Sequence, residues 1–472
     1  MRCSPHAALI RLGLVAAIAA AALTGCNGGS GGYPTQINAN VRVINAIPDS
    51  GSISVFLTPV PNTNSGIPQE TTTVVQGLPF EGLTPNYVSV PEGPQTLQVA
   101  VEGGATFVVN TNITLIGLKN YTLYLFGPSS AVLALPNLDL TANTGTGQFN
   151  LSVINGAFGT PAADVYVLPP NVSVDSTTPA ISGVPYGSSS AITLLNGGTF
   201  SVRFTAIGSK IVLYDSGPIT FENAATYQIF MYTKGSSTLL NGMLFTVGGT
   251  GPGTVINSKI AQFKLVQVAP GTPQINAYVQ SGLIFSNLPY LNATSYALVP
   301  SGASPVTITQ SSVPGVPLTT VTPAFSPATD TSVIVTGFPG TQTAFALQDN
   351  NTPPPAGTAS VRFINASPDL GPVDVYVDFV KRASSVATNT ASPYILLPAA
   401  DITAPAPNTY AVNFNYPGTQ TIALSIPAFA VNAGRTYTLY LAGPASQLTN
   451  VQTQDRGVAP WLRRSGPRRR SS

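Results

Sequence analysis

The sequence predicts an all-β chain of four tandem immunoglobulin-like antiparallel β-sandwich domains. Three observations carry that prediction. A sixteen-residue phrase returns four times without a gap, as VRVINAIPDSGSISVF (Val41 to Phe56), LSVINGAFGTPAADVY (Leu151 to Tyr166), FKLVQVAPGTPQINAY (Phe263 to Tyr278) and VRFINASPDLGPVDVY (Val361 to Tyr376). Its copies start 98 to 112 residues apart, the size of one small domain. The chain holds 43 prolines and shows no long stretch of 3.6-residue periodicity in its body, which argues against long helices.

In chain order, Arg2 and Arg11 open a basic segment, an apolar run follows from Leu12 to Leu23, and Leu23-Thr24-Gly25-Cys26 closes it. The run is shorter than the ~20 residues a bilayer span requires and has the length of a cleavable signal core. Leu-Thr-Gly-Cys resembles the bacterial lipoprotein box. By that resemblance residues 1–25 are a lipoprotein signal peptide, and Cys26 is the lipidated first residue of the mature chain. Asn27 after the cysteine, as in Gram-negative lipoproteins, points to the outer membrane. The expected location is the bacterial cell envelope, periplasmic or surface-exposed, with acyl chains anchoring at about 0.8 kcal/mol per buried methylene. Residues 26–36 read as a flexible Gly-rich tether.

Four units follow, expected at 37–142, 147–249, 257–347 and 357–449, with 450–472 as a basic disordered tail. Gly- and Pro-rich runs at 141–148, 248–254 and 350–357 read as linkers. Within a unit, Val373, Val375 and Val377 alternate with Asp374, Tyr376 and Asp378, a two-residue period that puts one face in a core and one toward water. Asn365-Ala366-Ser367-Pro368-Asp369 before it reads as a turn, with Pro48 and Pro270 recurring in the same place. Each unit closes alike: Asn120-Tyr121-Thr122, Thr226-Tyr227-Gln228 and Thr436-Tyr437-Thr438 open a late strand. Tyr121, Tyr227 and Tyr437 resemble the tyrosine corner of Greek-key sandwiches, whose hydroxyl bonds back to the backbone. Ser332 is aligned with them, which makes the third unit the least regular. A β-propeller would repeat every 40–50 residues, and frequent prolines with an Arg- and Ser-rich C-terminus disfavour a transmembrane barrel.

Composition excludes much chemistry. Cleavage at Cys26 would remove Cys3 and the single histidine, His6. A mature chain without histidine and with one acylated cysteine offers no disulfide, no Cys/His zinc site and no Ser-His-Asp or Cys-His nucleophile. Charged residues are only 8% of the chain, against about 25% in ordinary domains. Six arginines fall at or after Arg456, so the body is slightly acidic and lacks the basic face that nucleic acid needs.

Val361-Arg362-Phe363-Ile364-Asn365-Ala366-Ser367-Pro368-Asp369, running into Val373-Asp374-Val375-Tyr376-Val377, resembles the opening of the DUF4397 family, and Ala433-Gly434-Arg435-Thr436-Tyr437-Thr438 resembles its closing strand. The likeness is specific in the first and fourth units, degraded in the second and faint in the third, where Gln267 and Gly271 replace Asn and Asp. It implies a β-sandwich and an extracytoplasmic location, and offers no catalytic residue.

Candidate sites were weighed against plainer roles. Asp49-Ser50-Gly51 and Asp215-Ser216-Gly217 suggest an aspartic-protease pair, but they occupy unlike places in their units. Gly28-Gly29-Ser30-Gly31-Gly32 matches a nucleophile elbow, but in a tether and without histidine. Asp369, Asp374 and Asp378 suggest calcium, yet four residues along a strand is about 13 Å, and outward polar side chains explain the series better. Phe56, Tyr166, Tyr278 and Tyr376 recur on the nominally polar phase, where they would contact a ligand, stacking on sugar rings, or else fill junctions and lie beneath loops. Arg463, Arg464 and Arg468 to Arg470 would meet anionic lipid or solvent. The expectation is a non-enzymatic, lipid-anchored envelope protein with no cofactor or metal, serving as a spacer or adhesive module. Its expected partners are the membrane, through lipid, and a glycan or envelope protein. The alternatives are a carbohydrate-binding accessory protein and, less well supported, a carboxylate-only hydrolase.

Overall fold

The computed structural model describes residues 36–61, 70–102, 106–160, 162–234, 239–249, 253–352, 354–355, 357–400 and 408–456. The expected signal peptide, Cys26, the glycine run of the expected tether and the arginines beyond Arg456 lie outside the described residues. Strands dominate, and the only helical element among the described residues is a 3-10 turn at Ser129–Ala131.

The repeated phrase builds a crossing between two sheets. In the first sandwich its first half is the strand Asn38–Ala46 in one sheet, and its second half is the strand Ser52–Pro59 in the sheet opposite. The Pro-Asp turn between them bridges the core. The sheet holding Asn38–Ala46 runs Val88–Pro91, Asn38–Ala46, Asn120–Phe126, Leu133–Leu138, and the opposite sheet runs Thr72–Pro79, Ser52–Pro59, Gly93–Val101, Phe107–Leu115. The other three sandwiches repeat this order, with first strands Gln148–Gly156, Ile260–Gln267 and Thr358–Asn365. We call the sheet with the first strand the docking sheet and its partner the outer sheet. Four separate hydrophobic cores lie between them, one per sandwich.

The pairing is antiparallel with one exception in every sandwich. The first strand runs parallel to a late one, with Val41 opposite Tyr121, Leu151 opposite Tyr227, Phe263 opposite Thr331 and Val361 opposite Tyr437. This one parallel contact arises because the chain leaves the first strand across the core and returns beside it only near the end of the unit. The same register corrects the alignment of the third unit: Thr331, not Ser332, takes the tyrosine position. Phe263, larger than Val41 or Val361, stands opposite Thr331 and packs against Phe325 at 5.4 Å between ring centres. Two boundaries also move. Residues 450–456, expected in the tail, belong to the last strand, Thr449–Arg456. Thr254–Ile256, at the end of an expected linker, pairs with Leu240–Thr246 as an edge strand of the second sandwich.

The recurring Asn of the phrase, wholly buried, ties the crossing to the next strand. Asn45 donates to Leu78 O at 3.0 Å and accepts from the Ile47 N–H at 3.0 Å. Asn155 does the same with Val184 O and Ala157 N, and Asn365 with Val386 O and Ser367 N, whereas Gln267 accepts from Ala269 N but donates to Pro273 O within the crossing itself. A buried amide that meets both a carbonyl and an N–H leaves neither backbone group orphaned. Asp49 and Asp369 fasten the same turn to the loop before the last strand, accepting from Ser129 N and Ala445 N at 2.8 Å each. Gly127, Gly337 and Gly443 begin that loop at φ of 88°, 92° and 85°, where a Cβ would meet a carbonyl oxygen at 2.5–2.8 Å.

The docking sheets do not face water. Ile44, Ala46, Tyr124 and Phe126 of the first sandwich form a further buried cluster with Ile154, Phe230, Tyr232, Met243 and Phe245 of the second. Val266, Val268 and Ile334 of the third do so with Ile364, Ala366, Tyr440 and Ala442 of the fourth. The sandwiches therefore form two pairs, packed sheet against sheet. First strands buried on both faces replace the expected division into a core face and a solvent face.

Candidate functional site

Two places gather polar chemistry: the paired docking sheets and the outer faces. On the docking sheets the second residue of the phrase points away from its own core, and in three sandwiches it is a buried cation. Arg42, Lys264 and Arg362 are 1%, 2% and 3% exposed. Each meets a hydroxyl, a carboxylate near the end of the last strand, and a tyrosine ring. Arg42 Nε donates to Thr122 Oγ1 at 2.8 Å, Thr122 donates to Asp139 at 2.8 Å, and the guanidinium lies 4.9 Å from the Tyr87 ring centre. In the third sandwich Ser332 donates to Asp349 at 2.7 Å, Tyr296 donates to it at 2.5 Å, and Lys264 sits 5.3 Å from the Tyr296 ring. In the fourth, Thr438 donates to Asp455, and Arg362 lies 4.8 Å from the Tyr394 ring.

In the second pair the charges cross over. Lys264 of the third sandwich pairs with Asp455 of the fourth, and Arg362 of the fourth pairs with Asp349 of the third, Nη2 to Oδ1 at 2.5 Å. Burial works to raise the pKa of Asp349, but the charges of Lys264 and Arg362 outweigh it and hold the carboxyl below its ordinary value. The first pair has no such exchange. Arg42 stays with Asp139 at 3.7 Å, and there burial dominates and raises the Asp139 pKa. The second sandwich contributes Ser152 and Gln228 in place of cation and hydroxyl. Gln228 donates to Ser152 Oγ at 3.1 Å and accepts from Tyr124 across the pair. Glu81 closes the rim, accepting from Tyr232 at 2.7 Å and Asn241 at 3.0 Å. These groups carry no reacting geometry. They face one another inside an interface, where Arg42 Nη2 and Arg362 Nε are left without a hydrogen-bond partner.

This constellation is not among the candidates that the sequence suggests. Its signal was a lone Arg or Lys inside an otherwise apolar strand, with an Asp some 85 to 97 residues on, a recurrence visible only once the last strands are placed.

On the outer faces the four recurring aromatics diverge. Tyr166 is buried beneath the loop after its strand, where Lys210 donates to its hydroxyl at 3.1 Å and to Val174 O and Thr177 O. Tyr376 is half-buried, with Lys381 Nζ 5.5 Å from its ring. Phe56 meets Phe107 edge-on at 6.4 Å. Tyr278 instead lines an open groove of about 420 Å³ with Gln280, Thr307, Thr309, Pro314 and Pro317. The three corner tyrosines are close to identical: Tyr121, Tyr227 and Tyr437 accept from Ile116 N, Glu222 N and Asn432 N at 3.0–3.1 Å, five residues upstream.

The aspartates considered for calcium serve the backbone. Asp374, read as an outward polar residue, is buried and accepts from Ser385 N, Gly418 N and Lys381. The bond from Lys381 leads in bringing its pKa down to about 2. Asp164 accepts from Gly183 N and Gly208 N in the same way. The extra residue sits in the neighbouring edge strand, where a register shift opposite the aspartate frees the Gly183 and Ser385 N–H groups, while Gly208 and Gly418 donate from the turn that follows the third outer strand. Asp49 caps the turn, whereas Asp215 bonds Arg203 at 2.7 Å and Gly217 N, so the two Asp-Ser-Gly triplets do not come together as equivalents. Among the described residues no three His, Cys, Asp or Glu side chains gather as a metal site.

The family model DUF4397, a domain of unknown function, matches residues 39–166, 261–376 and 359–461. The chain belongs to the DUF4397 family. The first two matches each span one sandwich and the crossing phrase of the next, so the third DUF4397 unit, expected to be faint, is matched from its first strand onward, and of the second only the opening is covered. No curated protein sequence matches the chain. Among solved structures it is similar to a streptococcal virulence factor described for alpha-glucan binding, at 10% identity over 43% of this chain and 95% of that one, TM-score 0.16. It is also similar to CBMbc, of family CBM26, from Eubacterium rectale Amy13K in complex with maltoheptaose, at 10% identity over 46% and 96%, TM-score 0.14. The Bacillus anthracis TIE protein is similar at 10% identity over 88% and 75%, TM-score 0.13. Scores this low carry no argument about what these DUF4397 sandwiches bind.

Proposed function

We propose that the chain is a non-enzymatic, lipid-anchored protein of the bacterial cell envelope, a scaffold whose paired sandwiches hold binding or adhesive faces away from the membrane. The observation that carries it is the pairing itself. Crossed buried ion pairs and apolar clusters consume the docking sheets, so the outer sheets are the faces left for partners. The buried cations are enclosed by the paired sheets, and on the outer faces the carboxylates of Asp164 and Asp374 are occupied by backbone N–H groups. Support for the anchor is the Leu23-Thr24-Gly25-Cys26 motif and the Gly-rich tether behind it. The outer membrane is the proposed site, and the membrane, a glycan or an envelope protein are the proposed partners.

Mass spectrometry of the mature N-terminus tests the anchor: a diacyl- or triacylglyceryl Cys26 is expected, and an unmodified terminus refutes it. Protease shaving of intact cells tests display. Cleavage in the outer-sheet loops is expected for a surface protein, and complete protection with an intact outer membrane refutes exposure.

A further inference from the structure

We propose that the groove beside Tyr278 on the outer sheet of the third sandwich binds one or two units of a neutral carbohydrate chain. The inference rests on the reading of the outer sheets as binding faces and names a ligand class for one of them. Of the four equivalent aromatics Tyr166 is buried under Lys210, and Phe56 and Tyr376, half-buried like Tyr278, carry Phe107 and Lys381 against their rings, whereas the Tyr278 ring opens onto about 420 Å³ of free space. That volume lies in the range of small-molecule sites, roughly 300–1,000 Å³.

The groove has a built wall. Opposite Val306–Gln310 the edge strand slips register, Gln310 pairing with Val313 but Thr309 with Pro317, so that Pro314, Gly315 and Val316 loop out beside the sheet. Pro305, Pro314 and Pro317 stiffen that wall, because proline has one backbone torsion already set. At the open end Gln280 and Ser281 form the hairpin turn with φ of 57° and 107°. No charged residue lines the groove. On its floor Thr309 is 2% exposed, and its buried Oγ1 has no hydrogen-bond partner. An orphaned buried hydroxyl is costly in a finished core and is relieved by a ligand that brings a partner to it.

One aromatic face ringed by hydroxyl and amide groups and free of charge suits a sugar ring, which offers an apolar C–H face and a polar rim. A proline-rich peptide would ask for several aromatic rings in a row, and the groove has one. An anionic ligand would find no cation.

The test titrates the purified mature protein calorimetrically with maltoheptaose, cellohexaose, chitohexaose and a decaproline peptide. Binding of at least one oligosaccharide is expected. Tyr278→Ala is expected to weaken it about tenfold or more, as loss of a central aromatic anchor does, while Tyr278→Phe stays within about threefold and Tyr376→Ala leaves it unchanged. Thr309→Val is expected to weaken it severalfold with the thermal midpoint held. Failure to bind any oligosaccharide, an equal loss in Tyr376→Ala, or preference for decaproline overturns the proposal. Each of these leaves the acylated Cys26 and the shaving pattern untouched, so the scaffold reading fails or stands separately.

Discussion

Replacing Asp349 with Asn keeps its volume and removes its charge. In the paired third and fourth sandwiches this leaves Arg362, 3% exposed, without the carboxylate 2.5 Å from its Nη2. Breaking one partner of a buried ion pair costs about 3–5 kcal/mol, most of it the expense of an uncompensated charge. With tenfold per 1.4 kcal/mol, opening of the pair should become about 10²- to 4 × 10³-fold more frequent. Arg362→Met alone should cost a similar amount, because Asp349 would then keep only Lys264 as a charged neighbour. Asp349→Asn combined with Arg362→Met removes both charges and should cost far less than the two singles together, with a coupling energy of about 2 kcal/mol or more. Hydrogen exchange read by mass spectrometry on peptides covering Ile260–Gln267 and Thr358–Asn365 measures this locally. The strand Asn38–Ala46, in the other pair, serves as the internal reference. Singles costing under about 1 kcal/mol and adding to within about 0.5 kcal/mol in the double would refute the claim that crossed charges hold this interface.

Tyr440 is wholly buried at the same interface and its hydroxyl has no partner, so Tyr440→Phe should be neutral or stabilising by thermal denaturation. Tyr124→Phe, at the equivalent position of the first pair, removes the bond to Gln228 and should cost about 0.5–1.5 kcal/mol in the same assay. Tyr437→Phe orphans the Asn432 N–H and should destabilise the fourth sandwich by about 1 kcal/mol, seen as faster exchange at that amide. The two pairs should also answer acid oppositely. The Asp349 pKa is lowered by folding, so its contribution is present above the unfolded value near ~4 and is lost as pH falls through the folded one. The Asp139 pKa is raised, so its contribution is full below that unfolded value and fades as pH rises through the folded one. Exchange across pH 3–6 should show Asp349→Asn losing the acid-labile part in the second pair and Asp139→Asn losing the reverse slope in the first.

Much of the fold was legible because its signals are local. Alternation in Val373, Val375 and Val377 follows from the pleat, the Pro48-Asp49 turn from backbone chemistry, and the tyrosine at the start of a late strand from a bond only five residues long. What escaped depends on contacts distant in sequence. The register that puts Thr331 beside Phe263 joins residues 68 apart, and a one-residue slip cannot be seen when the tyrosine that would mark it is missing. The pairing of sandwiches escaped for another reason. In Val41-Arg42-Val43-Ile44 the second phase holds both an arginine and an isoleucine, so it reads as a face of mixed exposure, although Arg42 is buried against Phe245 and Ile44 against the second sandwich. Similarly, Asp374 looked like a solvated charge because the N–H groups it accepts from are released by an irregularity that sequence alternation does not encode. The Tyr278 groove was half-read: the aromatic was marked, but the looped-out Pro314-Gly315-Val316 that gives it a wall was not.

The placement of charge links fold to proposed function. Only 8% of the residues are charged, and several of those that exist stand inside the pairs, Arg42, Asp139, Lys264, Asp349, Arg362 and Asp455 among them. The outer sheets are thus even less charged than the composition suggests. A face of threonine, serine, asparagine and glutamine gains little from long-range electrostatic steering and loses little to salt. Its recognition must come from short-range shape and hydrogen bonding, the terms that an uncharged, hydroxyl-rich polymer can meet. Such a face also risks edge-to-edge aggregation, because an edge strand without charge offers free N–H and C=O groups. The edge strand Val313–Val321 answers this with Pro314 and Pro317. The same two prolines that blunt the edge build the wall of the Tyr278 groove, so protection of the sheet and creation of the site are one structural act.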